Sequence, residues 1–520
     1  MWIVVTLLHE RLQRRLPVAL LVIGAMVIAA TLTLNLPALS VVDARAAPMQ
    51  DTLQISAEER RLILAATGAS GVNFAGLDDA ALVRELIAYA RREMGLRIRP
   101  PSVDGLWSLS PPARNPEVEF RAARADGSLG NWLAQIPPRH PQYVALRATA
   151  DQYRAATLAP FVPIGLLPTL REGDAHEALP AVHARLADQG FPAPPATAPT
   201  FFDAGLKAAL EAFQARRGLA VDGVLGPATR AALDVSPSAR LTQIEANLER
   251  LRWLPRDLPA DRVEVNIAAA EAALIQAGRP VLRMRIVVGD LSHKTPMFAS
   301  RLEAVVFNPP WNVPASIANN EILPRAARDP GYLARNNFVR IDGRLRQRPG
   351  PNNSLGQIKF DLPSPFGVYL HDTPGKAAFQ RPMRTLSHGC MRLEKPRELA
   401  LALLTPQGWR EADVTAAIAA GGTHRVNLDR PVPLYVVYQT AMVEDGRVRF
   451  VPDVYGWDAK LTAALTGARA YAARAATDTD CAEAQRSAGW DVEMARPESS
   501  RPAPSAIRKA IGPRLGRPNS

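Results

Sequence analysis

The spacing of apolar residues changes once along this chain, near residue 260, and that change limits what each half can become. Before it the repeat is helical: in ALVRELIAYARREMGL, Leu82, Leu86, Tyr89 and Ala90 share one face, and Pro100-Pro101 ends the run. After it Val263, Val265 and Ile267 alternate, as do Leu282, Met284, Ile286 and Val288, so every second side chain faces a core. LEAVVFNPPW and FGVYLHD read as further strands, and SIANNEILPRAAR and PRELALALL as helical insertions. The segment from about Arg262 to Thr440 is therefore mainly β. One hydrophobic core does not serve 520 residues, and 46 prolines break the chain often, which predicts a modular architecture.

Between His176 and Leu233 the spacing predicts three short helices. Leu179, Val182 and Leu186 line the first; Leu206, Ala209, Leu210 and Phe213 line the second, with Asp203 as N-cap; Pro227 opens the third. The segment resembles the small three-helix peptidoglycan-binding domain at Phe213, Gln214, Arg217, Gly218, Leu219, Asp222, Gly223, Gly226, Thr229 and Leu233. That resemblance implies a wall-binding role. NLERLRWLP follows as an amphipathic connector.

At the start, Arg11, Arg14 and Arg15 precede the uncharged run Leu16–Val42, and Ala44-Arg45-Ala46 forms a small-residue cleavage site. This is the order of an export signal, and the run is also long enough for a membrane anchor. Either places the bulk of the chain in the periplasm or cell envelope, with the inner membrane as a partner if the segment stays. For such a chain a net charge of +12 points to anionic lipid or carboxylate-rich wall polymer, not nucleic acid. Part of that charge is the tail from Arg501, with Arg508, Lys509, Arg514 and Arg517.

One of only two cysteines, Cys390, stands in TLSHGCMRL. A disulfide to Cys481 would staple the protein to the polar stretch ATDTDCAEAQ, a poor anchor. One Cys and two His without a fourth ligand fit metal sites badly, so no metal is expected. An inert buried thiol is the common case, but the neighbours are polar. A nucleophilic cysteine needs a base, an oxyanion hole and a substrate pocket. His371 lies 19 residues upstream at the end of FGVYL; Gly389 permits a turn aiming its own amide and that of Cys390 at an oxyanion; Arg392 and Arg384 offer charge to a substrate carboxylate.

At these residues the chain resembles an L,D-transpeptidase: His371, Thr373 and Pro374 match the upstream turn, and Ser387, His388, Gly389, Cys390 and Arg392 match the cysteine motif. VVFNPPWNVP, DPGYLAR and RQRPGPNNSLGQIKF extend the likeness to the large Gram-negative branch of that family. Between Tyr332 and Arg346 only a short link stands where such relatives can carry a longer lid, which predicts a more open site. The resemblance implies that Cys390 attacks a stem tetrapeptide donor, that an amine of a second stem resolves the thioester into a 3→3 crosslink, and that no cofactor is needed. It makes Cys390, His371, His388 and Gly389 catalytic candidates, and Arg392, Ser387, Tyr369 and Trp311 candidates for substrate contact. For the base, geometry alone leaves His388 open: two positions along an extended strand span about 6.5 to 7 Å, which a turn at Gly389 could shorten, while a neighbouring strand brings Cβ atoms to about 5 Å; the resemblance assigns the base to His371. A carboxypeptidase or endopeptidase using the same acyl-enzyme, and a non-catalytic wall-binding protein, are the rival classes.

The expected fold is multidomain α+β. Residues 1–50 are read as signal peptide or membrane anchor, 51–175 as helical scaffold domain and 176–236 as the three-helix peptidoglycan-binding domain. Residues 237–260 are a helical connector, 261–455 the mainly-β L,D-transpeptidase catalytic domain, and 456–520 a basic, disordered tail.

Overall fold

The structure, a computed structural model, describes residues 54–68, 71–195 and 198–467. The N-terminal signal or anchor, Cys481 and the tail beyond residue 467 lie outside the described residues. Among the described residues no helix is long and apolar enough to cross a membrane.

The helical first part comprises α1 (Ala57–Gly68), α2 (Asp79–Glu93), α3 (Pro116–Ala125), α4 (Leu129–Ala134) and α5 (Pro141–Ala156). The stripe expected on α2 is its buried face, with Leu82, Leu86, Tyr89 and Ala90 at 3% exposure or less. Next come α6 (Leu179–Asp188), α7 (Ala204–Arg217) and α8 (Pro227–Leu233), which close on Leu179, Val182, Leu186, Leu206, Leu210, Phe213 and Leu233. The Asp203 carboxylate accepts from the Leu206 amide at 2.8 Å, capping α7. Connector α9 (Pro237–Arg252) then leads into the β domain.

Strands β1 (Arg262–Asn266), β2 (Glu271–Gln276), β3 (Arg279–Gly289), β4 (Phe298–Phe307), β8 (Ile358–Asp361), β9 (Leu370–His371), β10 (Thr385–Ser387), β11 (Met391–Leu393) and β12 (His424–Val437) form one sheet. Its order is β10-β3-β11-β9-β8-β4-β12-β1-β2. Because β2 also pairs with β3, the strands from β3 round to β2 close into a ring without an open edge. Val263, Val265, Ile286, Val288, Phe360, Leu370, Leu393 and Val436, all at 1% exposure or less, are the inward half of the alternation. Helix α10 (Pro396–Leu404) packs Leu399, Ala400 and Leu404 into the same core.

Two expectations change. The segment from Trp311 to Gln347 is a small subdomain: β5 (Trp311–Asn312), β6 (Phe338–Ile341) and β7 (Arg344–Gln347) pair as a sheet, and Val313, Ala318, Ile322, Phe338 and Leu345 give it a core of its own. The short link is therefore the folded edge of a cap, and few residues suffice because a tight hairpin joins β6 to β7. The second concerns residue 456, where the sequence predicts the tail to begin. Residues 457–467 are helical, with Trp457, Leu461 and Leu465 buried at four-residue spacing and Asp458 2.5 Å from Arg250.

α9 joins the helical part to the ring through polar groups. Asn247 Nδ2 donates to Thr440 Oγ1 at 2.7 Å, and the Thr440 amide donates to Asn247 Oδ1 at 2.8 Å. Arg252 donates to Glu93 (3.0 Å), Glu249 (3.1 Å) and the Tyr143 hydroxyl (3.2 Å), and Arg97 adds a bond to Glu249 at 2.6 Å. Burial alone would raise the Glu93 carboxyl, but the Arg252 and Arg92 charges overcome it and hold the group at about 2.

Replacing Arg252 by Met should cost about 3–5 kcal/mol of unfolding free energy at pH 7, because two buried carboxylates lose their shared cation. The depressed Glu93 value means that its contribution is present above the ordinary carboxyl range and is lost as pH falls towards about 2. Urea unfolding at pH 7 and pH 3 should show the acid loss in the unsubstituted chain and a smaller one in Arg252→Met. Equal acid sensitivity in both would remove Arg252 as its source.

Candidate active site

β9 and β11 run parallel, with Met391 opposite Leu370 and Arg392 opposite His371, and the Met391 amide donates to the Tyr369 carbonyl at 3.0 Å. Leu370, Met391 and Leu393 are fully buried on the core side. Alternation therefore turns Tyr369, His371, Cys390 and Arg392 to the other face. His371 sits diagonally from Cys390, a spacing that a side chain as long as histidine can bridge.

Cys390 is a partly buried free thiol. Tyr369 lies beside the Cys390 thiol, where its amide and hydroxyl favour the thiolate, and Trp311 lies beside the Tyr369 hydroxyl. Burial raises the thiol above its usual range, outweighing these groups and the charges of Arg392 and Lys359. Burial, with the Arg392 charge added, depresses the His371 imidazole to about 4. Both groups therefore rest neutral. His371 Nδ1 bonds the Asp372 carbonyl, which can only accept, so Nδ1 carries the proton and Nε2 keeps its lone pair. The Asp372 side chain is fixed by the amides of Thr373 (2.7 Å) and Gln357 (2.9 Å) and by Lys376 Nζ (2.6 Å). Gly356 lies against it at φ 64°, where a Cβ would come within 2.4 Å of the carboxylate.

The turn before the thiol rests on Ser387, whose hydroxyl donates to the Cys390 carbonyl at 2.6 Å and accepts from the Gly389 amide at 3.1 Å. Gly389 has φ 102°. Its carbonyl accepts from Thr295 Oγ1 at 2.8 Å, and that oxygen accepts from the Gly289 amide at 2.9 Å. The expected pair of oxyanion amides is thus altered: the Gly389 N–H is taken by Ser387, and the Cys390 amide is the one left for that task. Ser387, at 1% exposure, shapes the turn from beneath.

His388 points elsewhere. Its Nε2 is 2.6 Å from Glu321 of the cap, and its ring packs on His293, whose Nδ1 is 3.1 Å from Asp290. Arg384 is not at the site: its guanidinium donates to the carbonyls of Ile286, Arg381, Ala269 and Ala270. Glu321, Thr295 and Lys359 reach the site without any motif that announces them. They lie tens of residues from the cysteine motif and carry no spacing signal; pairing and cap folding bring them in.

Because its pKa is raised, Cys390 should alkylate slowly at pH 7, with the iodoacetamide rate rising only above the ordinary thiol value of about 8.5. Tyr369→Phe removes a hydroxyl that favours the thiolate and should shift the profile further up. A midpoint below 8 in the unsubstituted chain would contradict this environment.

Residues 260–413 match the model of the L,D-transpeptidase catalytic domain, residues 175–233 that of the "Putative peptidoglycan binding domain", and residues 63–149 that of the scaffold domain. A Haemophilus influenzae protein named "Putative L,D-transpeptidase" is 34% identical over 254 residues, covering 45% of this chain and 51% of that protein. The chain thus spans about half the length of that curated relative. Two solved structures are similar at low identity. An L,D-transpeptidase from Mycobacterium smegmatis is 16% identical with a TM-score of 0.19, covering 34% of this chain and 58% of its own. L,D-transpeptidase 3 from Mycobacterium tuberculosis is 13% identical with a TM-score of 0.20, covering 34% and 61%. The chain is thus similar, over residues 260–413, to an L,D-transpeptidase catalytic domain, and in the stretches before it to a scaffold domain and a peptidoglycan-binding domain.

Proposed function

We propose that the protein is a cell-envelope peptidoglycan transpeptidase that forms 3→3 crosslinks through a Cys390 thioester. The observation that carries this reading is the juxtaposition of a thiol and a neutral imidazole of fixed tautomer on one face of two paired strands. Cys390 Sγ attacks the carbonyl of the third residue of a stem tetrapeptide while His371 Nε2 takes the thiol proton. The oxyanion is met by the Cys390 amide. Collapse breaks the peptide bond, and His371 returns its proton to the departing D-alanine amine. The acceptor amine then attacks the thioester, His371 takes the amine proton, and the thiol leaves and is reprotonated. The peptide bond broken and the one formed are alike in energy, so no nucleotide is consumed. Arg392 faces a substrate carboxylate, Tyr369 and Trp311 shape the thiol's surroundings, and Gly389 and Ser387 hold the turn. His388, paired with Glu321, serves the mouth of the site and is not the base.

Carbapenem should add one drug mass to the intact protein, mapping to the SHGCMRL peptide. His371→Ala should slow acylation about 10²- to 10⁴-fold, the weight of a general base, and His388→Ala should cost less. The acid limb of the acylation rate should lie near pH 4, where His371 protonates and can no longer accept a proton. A dead His388→Ala beside a working His371→Ala would reverse the roles. Muropeptide mass spectrometry on tetrapeptide sacculi separates the products: loss of D-alanine without crosslinks would make the enzyme a carboxypeptidase.

A further inference from the structure

Two arginines, Arg217 at the end of α7 and Arg240 in α9, are buried at 4% and 9% exposure where the three-helix domain meets the catalytic domain. Both guanidinium groups lie over the ring of Phe450, at 4.9 and 4.5 Å from its centre. Arg217 Nη2 donates to Gln189 at 2.6 Å, but its Nε and Nη1 are buried without a hydrogen-bond acceptor among the described residues. Arg240 spends its donors on neutral oxygens, those of Gln243 (2.9 Å) and the Ala232 carbonyl (3.1 Å). The cations nearest the pair are each other and Arg216, with the neutral Tyr153 hydroxyl beside them and no carboxylate acting on either arginine. Tyr153 is close enough to be felt, though not aligned to accept from Nε or Nη1 of Arg217. The neighbouring Arg250, by contrast, pairs with Asp458 at 2.5 Å.

Both arginines line a cavity of about 640 Å³. Its walls are otherwise largely small and apolar, with Leu219, Ala232, Val235, Val451, Ala459 and Ala463 among them. Asp453 and Asp458 border it, but Asp453 accepts from the Tyr438 hydroxyl and the Trp457 amide, and Asp458 from Arg250 and Thr440. Two adjacent buried cations without a carboxylate partner are costly, and an anion entering the cavity they line would offset that cost.

We propose that this cavity is a second peptide site, in which Arg217 and Arg240 receive the terminal carboxylate of a wall stem peptide and the apolar walls receive its alanine methyl groups. The identity of the peptide rests on the reading under Proposed function; the anion site rests on the arginine pair. The site would tether a wall strand at the junction between the binding and catalytic domains while Cys390 works on another.

The test uses the full chain with Cys390 already acylated by a carbapenem, so that the catalytic cleft is filled. Calorimetric titration with L-Ala-γ-D-Glu-meso-diaminopimelate-D-Ala should show one further site per chain. The C-terminal amide of that peptide and inorganic phosphate should bind at least about tenfold more weakly. Arg240→Met should lose the peptide by a similar factor, and Ala463→Trp, which fills the cavity and keeps both arginines, should lose it too. Without ligand, Arg240→Met should unfold at an equal or higher temperature than the unsubstituted chain, since an uncompensated buried charge has gone. The proposal falls if the blocked chain binds no peptide, if the amide or phosphate matches it, or if both variants bind normally. It falls also if ligand-free Arg240→Met is less stable, because the pair would then have a counter-ion within the chain. Failure of the carbapenem to label Cys390 in the unsubstituted chain would instead sink the catalytic reading.

Discussion

The site depends on a pairing too short to sustain itself: β9 has two residues and β11 three, and their parallel register alone sets Cys390 and His371 on one face. Isolated strands of that length do not persist in water. Here β11 is held on its other side by β3, where Arg392 opposes Val287, and β9 by β8, where Lys359 opposes His371. A one-residue slip of β11 would send Cys390 into the core and bring Met391 out. Full burial of Met391 and Leu393 resists that slip, so the packing of the ring determines the chemistry outside it.

Burial also decides the protonation state. The polar groups of Tyr369 and two cations near the thiol all favour thiolate, yet desolvation dominates and both members of the pair rest uncharged. A thiolate–imidazolium pair would react with any electrophile that enters. Under the proposed mechanism a neutral pair reacts when a carbonyl is positioned so that proton transfer and attack proceed together, which would tie reactivity to substrate binding. Tyr369, beside the thiol, connects it to the cap through Trp311, the first residue of β5.

What was legible in the sequence was what local pattern encodes. The apolar stripe of α2, the Asp203 cap and the alternation of β1 and β3 each follow from residues close in sequence. The cysteine motif gave the residues of the site but not their connections. That Ser387 occupies the Gly389 amide, that Arg384 is bound to four carbonyls, and that Glu321 meets His388 are outcomes of tertiary folding, and none has a spacing rule. The 457–467 helix was missed because its stretch of chain borders a polar segment; three apolar residues four apart were the available signal.

α9 shows how a polar helix can sit at the centre of a protein. Of its arginines, Arg250 and Arg252 are buried at 4% and 8% exposure, and each has a carboxylate partner, Asp458 for one and Glu93 with Glu249 for the other. Such pairs add little net stability over apolar side chains of the same size, since desolvation consumes most of the attraction. They add geometry: a guanidinium that must meet a carboxylate at fixed angles rotates the helix to one setting, whereas leucines would tolerate several. Glu93 belongs to α2 and Asp458 to the 457–467 helix, so the two pairs fasten α9 to elements from opposite ends of the described chain. Arg240, three turns earlier on the same helix, is buried to a similar degree but meets only neutral oxygens, which makes its end of α9 the electrostatically unfinished one.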